Sequence, residues 1–466
     1  MKTKIVSIIV SVALSSGLYA QTSYEAARVI GEDLNGTARF VGMGGAMSAF
    51  GSDLSTMSTN PAGIGTYNKS DVNMSIYFSG TETSMNNPLK SNDISYSSNE
   101  NITGFKTQFD NISFVIYNPV YNQLSALKSF NFAFSYKRIG DFERSFSYFD
   151  DFSDNNGYLV YRDYENNEDG SINSYNFNIS FNYYDQFFWG ITLGMFDANY
   201  WANGYFYDYY PVQSGYTQNT DYTSLDRMNE LYGNGWNLKF GILLRPIISS
   251  SFRIGFSIGT PTWFNMTQSY SDYLYALEGV QKDGKLFSNI IDFKVITPWV
   301  MNISTGITIK DSWAIGAEYE VTEADRTDIK VNGYFINNQN KYDLQSFSNF
   351  KVGVEKNIGL LSLRMGYNYT SPMFKSSAFK DLNNDTDFNK NRCDFDYENI
   401  GSQHNITFGL GYCGRPGYWG GQFYIDAAYV HSIKNSAFSV GEYNDDPVVD
   451  YTTYGKKMVV TAGFIF

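Results

Sequence analysis

The chain has 466 residues, with 34 Lys and Arg against 47 Asp and Glu, for a formal net charge of −13. So acidic a chain excludes nucleic acid as its expected partner. Aromatic residues are 18% of the chain, yet mean hydropathy is −0.32, and no run of about 20 apolar residues that could form a membrane helix follows the N-terminus.

The N-terminus reads as a secretory signal peptide over residues 1–20. Lys2 and Lys4 precede the apolar run 5–14, and Leu18-Tyr19-Ala20 ends in small residues suited to cleavage after Ala20. No cysteine follows that site, so no lipid anchor is indicated.

Residues 21–69 do not read as a lipid-facing strand. They carry a run of small residues from Gly42 to Gly51, then Ser52-Asp53-Leu54-Ser55, then Asn60-Pro61-Ala62-Gly63. Pro61 marks a turn. Val41, Met43, Phe50, Leu54, Met57 and Ile64 give the segment too much apolar content for the alternative, a disordered periplasmic tail.

Residues 70–466 read as fourteen amphipathic strands, at about 70–80, 110–119, 130–140, 173–184, 187–198, 235–245, 251–262, 299–309, 313–323, 349–357, 361–370, 404–413, 421–431 and 456–466. Trp236, Leu238, Phe240, Ile242 and Leu244 share one face, against Asn237, Lys239, Gly241 and Arg245. Phe252, Ile254, Phe256 and Ile258 oppose Arg253, Gly255, Ser257 and Gly259 in the same way. Period two with one apolar and one polar face marks a half-buried strand. Asp185-Gln186, Lys310-Asp311 and Asn357-Ile358-Gly359 read as tight turns, whereas 143–172, 199–234, 263–297, 324–348, 371–403 and 432–455 read as long loops. An even number of short strands, with turns on one side and loops on the other, predicts an all-β transmembrane barrel with periplasmic turns and extracellular loops. Trp299, Trp313, Tyr369, Tyr412 and Tyr429 at strand ends suit an aromatic girdle. The alternative is a soluble sandwich or propeller, which has no need of that gap rhythm. A fourteen-stranded barrel leaves a lumen wider than its own side chains fill, so residues 21–69 are predicted to form a hatch inside it.

The loops hold most of the acid, for instance Glu143, Asp150, Asp151, Asp163, Glu165 and Asp169. Lipopolysaccharide bridged by divalent cations is one expectation for such loops. Asp381, Asn383, Asn384, Asp385 and Asp387 have calcium-like spacing but lack the glycine and distal glutamate of an EF-hand loop. Cys393 and Cys413 are predicted on opposite sides of a layer about 25 Å tall, too far apart for a disulfide. His404 and His431 fall on adjacent strands as interface residues. Gly409, Gly411 and Gly414 spell a dinucleotide fingerprint in a strand with no following helix, so the pattern fails its context and instead gives room on the lumen face. No cofactor, metal centre or catalytic constellation is indicated, and an enzyme is not expected. Lys239, Arg253, Lys351 and Arg364 alternate inward with Glu318, Glu320, Glu355 and Asp426. They are predicted either to brace the hatch or to meet the head group of a ligand.

The ordered motifs resemble the FadL family of outer-membrane long-chain fatty-acid and hydrophobic-compound transporters. Asp53 with Ser55 and Asn60-Pro61-Ala62 stand where that family has its hatch motif. Thr297-Pro298-Trp299, Leu363-Arg364-Met365-Gly366-Tyr367 with Ser371-Pro372, and Gly409-Leu410-Gly411-Tyr412 resemble its later strands. The resemblance implies a porin-like barrel of fourteen strands, plugged by an N-terminal hatch, in the outer membrane of a Gram-negative bacterium. It also implies a monomer that passively takes up a hydrophobic ligand and releases it sideways into lipid. The alternatives are a FadL-like barrel serving protein secretion or surface assembly, and an open general porin, which a hatch would argue against.

Overall fold

The computed structural model describes residues 23–86, 101–102, 106–122, 124–153, 159–210, 221–246, 251–278, 281–310, 312–331, 334–335, 343–376, 378, 399–418, 420–439 and 448–466. The expected signal peptide, Cys393 and the segment 381–387 lie outside them. The strands are β1 Asp71–Asn86, β2 Asn101–Ile102, β3 Lys106–Pro119, β4 Leu127–Asp141, β5 Arg144–Ser153, β6 Leu159–Tyr183 and β7 Phe187–Tyr210. They continue with β8 Asp221–Leu244, β9 Phe252–Gly259, β10 Trp263–Glu278, β11 Gln281–Ile296, β12 Val300–Ile309, β13 Trp313–Glu323 and β14 Asp328–Val331. The remainder are β15 Tyr334–Phe335, β16 Ser346–Ile358, β17 Leu361–Thr370, β18 Asn399–Cys413, β19 Gln422–Ser439 and β20 Val448–Ile465.

These segments make fourteen antiparallel passes of one closed barrel. Neighbours in sequence pair around the ring, and β20 closes it on β1, from Asp71 opposite Ile465 to Asn86 opposite Asp450. Closure leaves the membrane-level wall no sheet edge, so its backbone groups pair within the protein. β12 and β13, with 10 and 11 residues, have the length that crosses a hydrocarbon layer. Their alternation is what the sequence leads one to expect. Ile303 is 56% exposed on the outer face, whereas its neighbours Asn302 and Ser304 are buried. Two of the tight turns form one or two residues from their expected positions, with Tyr183 opposite Phe187 and Ile358 opposite Leu361, and the third includes Asp311, outside the described residues. In the first, Tyr184 and Asp185 both take positive φ, 56° and 58°, and Gln186 N closes the turn on Tyr183 O at 3.1 Å, the backbone twist that suits a tight hairpin.

The long connections need correction. β6, β7 and β8 run for 25, 24 and 24 residues, well past the expected ends. The stretch expected as a loop over 263–297 is the hairpin β10–β11. Together with β5 these strands form a tall ribbon beyond the membrane-level wall. The rhythm of apolar residues stops where the outer face leaves lipid, but ladder hydrogen bonds need no apolar face and continue. Loss of alternation therefore does not mark the strand end. The other expected loops shorten too, since β19 extends to Ser439 and β20 begins at Val448.

Two passes bend at Thr-Pro steps. Pro261 and Pro298 have no N–H for the ladder, and threonine hydroxyls repair the gap. Leu238 N donates to Thr260 Oγ1 at 3.0 Å, and Thr262 N donates to Thr297 Oγ1 at 2.8 Å. The ladder from β1 to β3 also slips at one point, where Asp110 is an extra residue opposite Ser75 and Ile76. A bulge of this kind re-aims a side chain, and here Asp110 is fully buried.

Candidate functional site

Residues of the 23–66 segment pack against the inward face of the strands. They form helix α1 Ser23–Ile30, the short helix α2 Ala38–Gly42 and two 3-10 turns at Leu54–Ser58 and Pro61–Thr66. Irregular backbone inside a barrel must have its carbonyl groups satisfied, and the polar inner face of the wall does this around the ring. Asn131 of β4 donates to Ile64 O at 2.8 Å, Ser180 of β6 to Pro61 O at 3.1 Å, and Thr407 of β18 to Gly42 O at 3.1 Å. Lys457 of β20 donates to Leu34 O at 2.7 Å.

The motif residues each have a local task. Asp53 caps the first 3-10 turn, accepting from Ser55 N at 2.9 Å, and also accepts from Thr37 Oγ1 at 2.7 Å. Ser55 Oγ in turn accepts from Thr37 N at 2.9 Å. Asn60 caps the second turn through Ala62 N at 3.1 Å, while its amide donates to Ile242 O of β8 at 3.2 Å. Pro61 occupies the first helical position, where its missing N–H costs nothing. Ala62 is fully buried, and a Cβ on Gly63 would lie 2.6 Å from Thr56 Oγ1.

Glycines let this segment lie directly on the wall. Gly306, Gly316, Gly353 and Gly366 are successive cross-strand partners over β12, β13, β16 and β17. Added Cβ atoms would come within 2.9 Å of Phe50 at Gly306, 2.6 Å of Ala46 O at Gly316, 2.3 Å of Met43 O at Gly353 and 2.2 Å of Gly44 N at Gly366. Gly409 in β18, opposite Arg364 and so two residues off this row, likewise lies against Gly42, giving the lumen-side room read from the sequence.

The inward cations are all engaged. Arg364 donates from Nε to Glu355 at 2.6 Å and from NH1 to Asp426 at 2.5 Å. Glu355 is shared with Arg39 of the inner segment, which grips both carboxylate oxygens at 3.0 Å. Lys351 pairs with Glu318 at 2.8 Å, and Glu318 also accepts from Asn302 at 2.7 Å. Arg253 donates to Phe50 O at 2.6 Å, and Lys239 donates to Ser58 O. Three of these contacts, those made by Arg364 through Glu355, by Arg253 and by Lys239, thus tie the wall to the inner segment. Sequence reasoning missed Arg39, although it and Asp53 are the charged residues of 34–64. A lone arginine in an apolar, glycine-rich run is the signal that could have found it.

Toward the ribbon end the inner surface turns apolar. Ile172, Tyr200, Leu231, Phe264, Phe293 and Val295 line it, and α1 packs Ala26 and Val29 against them. Its Arg28 lies 4.1 Å over the Tyr200 ring. A charged pair at this level, Arg227 and Asp272, is closed by two bonds of 2.8 Å. The result is an apolar layer, packed on α1, above a polar, tightly tied midsection.

The histidines face outward, apart from this site. His404 Nδ1 lies 2.8 Å from the Tyr367 hydroxyl, and the His431 ring stacks on Tyr454. They sit opposite Ile433 and Ile406 respectively, not opposite each other. Cys413 is a free thiol.

Neither a family sequence model nor a curated protein sequence matches the chain. Solved structures do match its fold. A Pseudomonas aeruginosa FadL homologue aligns with TM-score 0.58 at 12% identity, covering 93% of this chain and 99% of that one. The Pseudomonas putida toluene transporter TodX aligns with TM-score 0.55 at 12% identity, over 93% and 99% of the two chains. A TodX monoaromatic hydrocarbon channel deltaS2 mutant gives 0.56 at 12% identity, over 93% and 100%. The chain therefore has the fold of the FadL-type barrels.

Proposed function

We propose that this protein is a plugged outer-membrane channel for passive transport of a hydrophobic small molecule, a long-chain fatty acid or a compound of similar character. The observation that carries this reading is the order of surfaces inside the barrel. An apolar inner surface with a few fixed polar groups, the chemistry of a site for an apolar ligand, packs on α1 directly above a midsection occupied by residues of the 23–66 segment. The named activities of TodX and related channels support the same class of cargo. In this reading residues 21–69 are the hatch, and Asp53, Ser55, Asn60, Pro61, Ala62 and Gly63 hold its shape. Lys239, Arg253 and, through Glu355, Arg364 brace it, while Lys351 is engaged by Glu318 of the wall. Lateral release is supported by the bulge at Asp110, where the ladder slips beside Gly36 of the hatch, whose N–H donates to Asp110 at 3.2 Å. The apolar belt supports residence in the outer membrane of a Gram-negative bacterium, exposed to its lipid and lipopolysaccharide. Closure of the barrel by its own strands supports a monomer.

The test is uptake into liposomes holding the purified protein. A labelled long-chain fatty acid or alkylbenzene should enter faster than into protein-free liposomes, while a sugar of similar mass should not. Equal acceleration of the sugar would point to a general porin. No acceleration of the apolar solutes would remove the transport reading.

A further inference from the structure

The outer face of the ribbon carries a pattern that the transport reading does not use. On β7 the apolar belt runs from Phe187 to Met195, and Asp197 and Asn199 end it. Beyond them outward rings and carboxylates stand beside one another across the strands. Tyr205 stands between Glu165 of β6 and Asp226 of β8, and Trp201 stands between Asp169 and Glu230. Asp226 has Tyr273 of β10 on its other side. Tyr205 and Trp201 are each 39% exposed, and all four carboxylates are exposed. Among the described side chains of β6, β7, β8 and β10 the cations are Arg227 and Lys239, and both turn inward, to Asp272 and Ser58. Among the described side chains this face therefore holds negative charge and ring faces and no positive charge.

We infer that this face docks a Lys- and Arg-rich polypeptide segment. A guanidinium or ammonium group can lie on a ring while donating to the carboxylate beside it, which combines cation–π attraction with a charge-assisted hydrogen bond. The rings also separate the acids. Glu165 and Asp226 stand two strands apart, about 9–10 Å, whereas one calcium ion needs several oxygens at about 2.3–2.6 Å. Among the described residues no group of acidic, His or Cys side chains is placed to hold a metal ion. Anionic lipopolysaccharide is repelled by such a surface. The pattern spans four strands, an extent suited to a chain of linked cations. This inference stands apart from transport and fails or holds without it.

The probe is a synthetic peptide alternating arginine and serine, titrated against the full-length protein in detergent, with a glutamate–serine peptide as control. Saturable binding of the arginine peptide alone is expected. The triple change Glu165→Gln, Asp226→Asn, Glu230→Gln should weaken it by about tenfold or more. Trp201→Ala and Tyr205→Ala leave the charge unchanged and should each weaken it about two- to fivefold. Trp201→Phe and Tyr205→Phe keep a ring and should bind nearly as the parent, and heat-modifiable gel mobility confirms that every variant is folded. Absence of saturable binding would overturn the inference. So would affinity unaffected by removing the rings, which would mean unspecific charge adsorption. Displacement of the peptide by millimolar calcium at constant ionic strength would name a divalent cation as the occupant and overturn it as well.

Discussion

Arg39 and Glu355 join two parts of the chain more than three hundred residues apart, with both oxygens of the carboxylate held at 3.0 Å by one guanidinium. Glu355 is buried and also receives Arg364, which continues to Asp426. The inner segment is thereby fixed to β16, and through Arg364 to β17 and β19.

Removing different members of this chain of charges should have unequal effects. Arg39→Ala leaves Glu355 paired with Arg364 and should cost about 1.5–3 kcal/mol, the worth of charged hydrogen bonds. Arg364→Ala strips Asp426 of its partner and should cost about 3–5 kcal/mol, because it leaves a buried charge uncompensated. Urea unfolding in detergent, followed by tryptophan fluorescence, measures both. Equal losses would show that the two arginines do not share Glu355 in this way.

The glycine row makes a separate prediction. Gly353→Ala places a Cβ 2.3 Å from the Met43 carbonyl, a backbone group that cannot swing aside, and overpacking of this kind costs about 1–3 kcal/mol. Gly417→Ala meets Gly421 O at an ordinary 3.5 Å and should be nearly neutral. Proteolysis of the folded protein reads this out, since Gly353→Ala should expose the N-terminal segment to cleavage while Gly417→Ala should not.

The two faces of β9 can be tested against each other. Phe256 is 47% exposed on the belt, and Phe256→Arg should cost about 2–4 kcal/mol near mid-membrane. Arg253 faces the lumen and donates to Phe50 O, and Arg253→Gln keeps a donor there. Heat-modifiable gel mobility should therefore show impaired assembly for the first and a folded barrel for the second. The reverse result would invert the assignment of inside and outside.

Ligand titration separates bracing from head-group recognition. With Lys239, Arg253, Lys351 and Arg364 already engaged, Gln at any one of them should change affinity for a fatty acid and for the matching alcohol equally. Selective loss of the acid would identify that cation as a head-group partner.

The faces of the strands were legible because lipid imposes an apolar outer surface and the lumen a polar inner one. The set Trp236, Leu238, Phe240, Ile242 and Leu244 is lipid-facing as read, with Trp236 46% exposed. The tight turns were legible from their length and from the twist that a hairpin demands. The ribbon was not, because Asp163, Glu165, Tyr205 and Asp226 lie on strands whose outer face is wet, so no apolar rhythm remains to mark them. The inward direction of Lys351 and Arg364 could be read from alternation, but their partners could not. Glu318 is brought opposite Lys351 by register, and Glu355 meets Arg39 only once the barrel has closed around the inner segment.

Single-channel conductance in planar bilayers tests the central claim most directly, comparing the intact protein with a deletion of 21–65. A barrel filled by residues 23–66 predicts little conductance from the intact protein and large, stable openings from the deletion. High conductance from the intact protein, unchanged by the deletion, would contradict it.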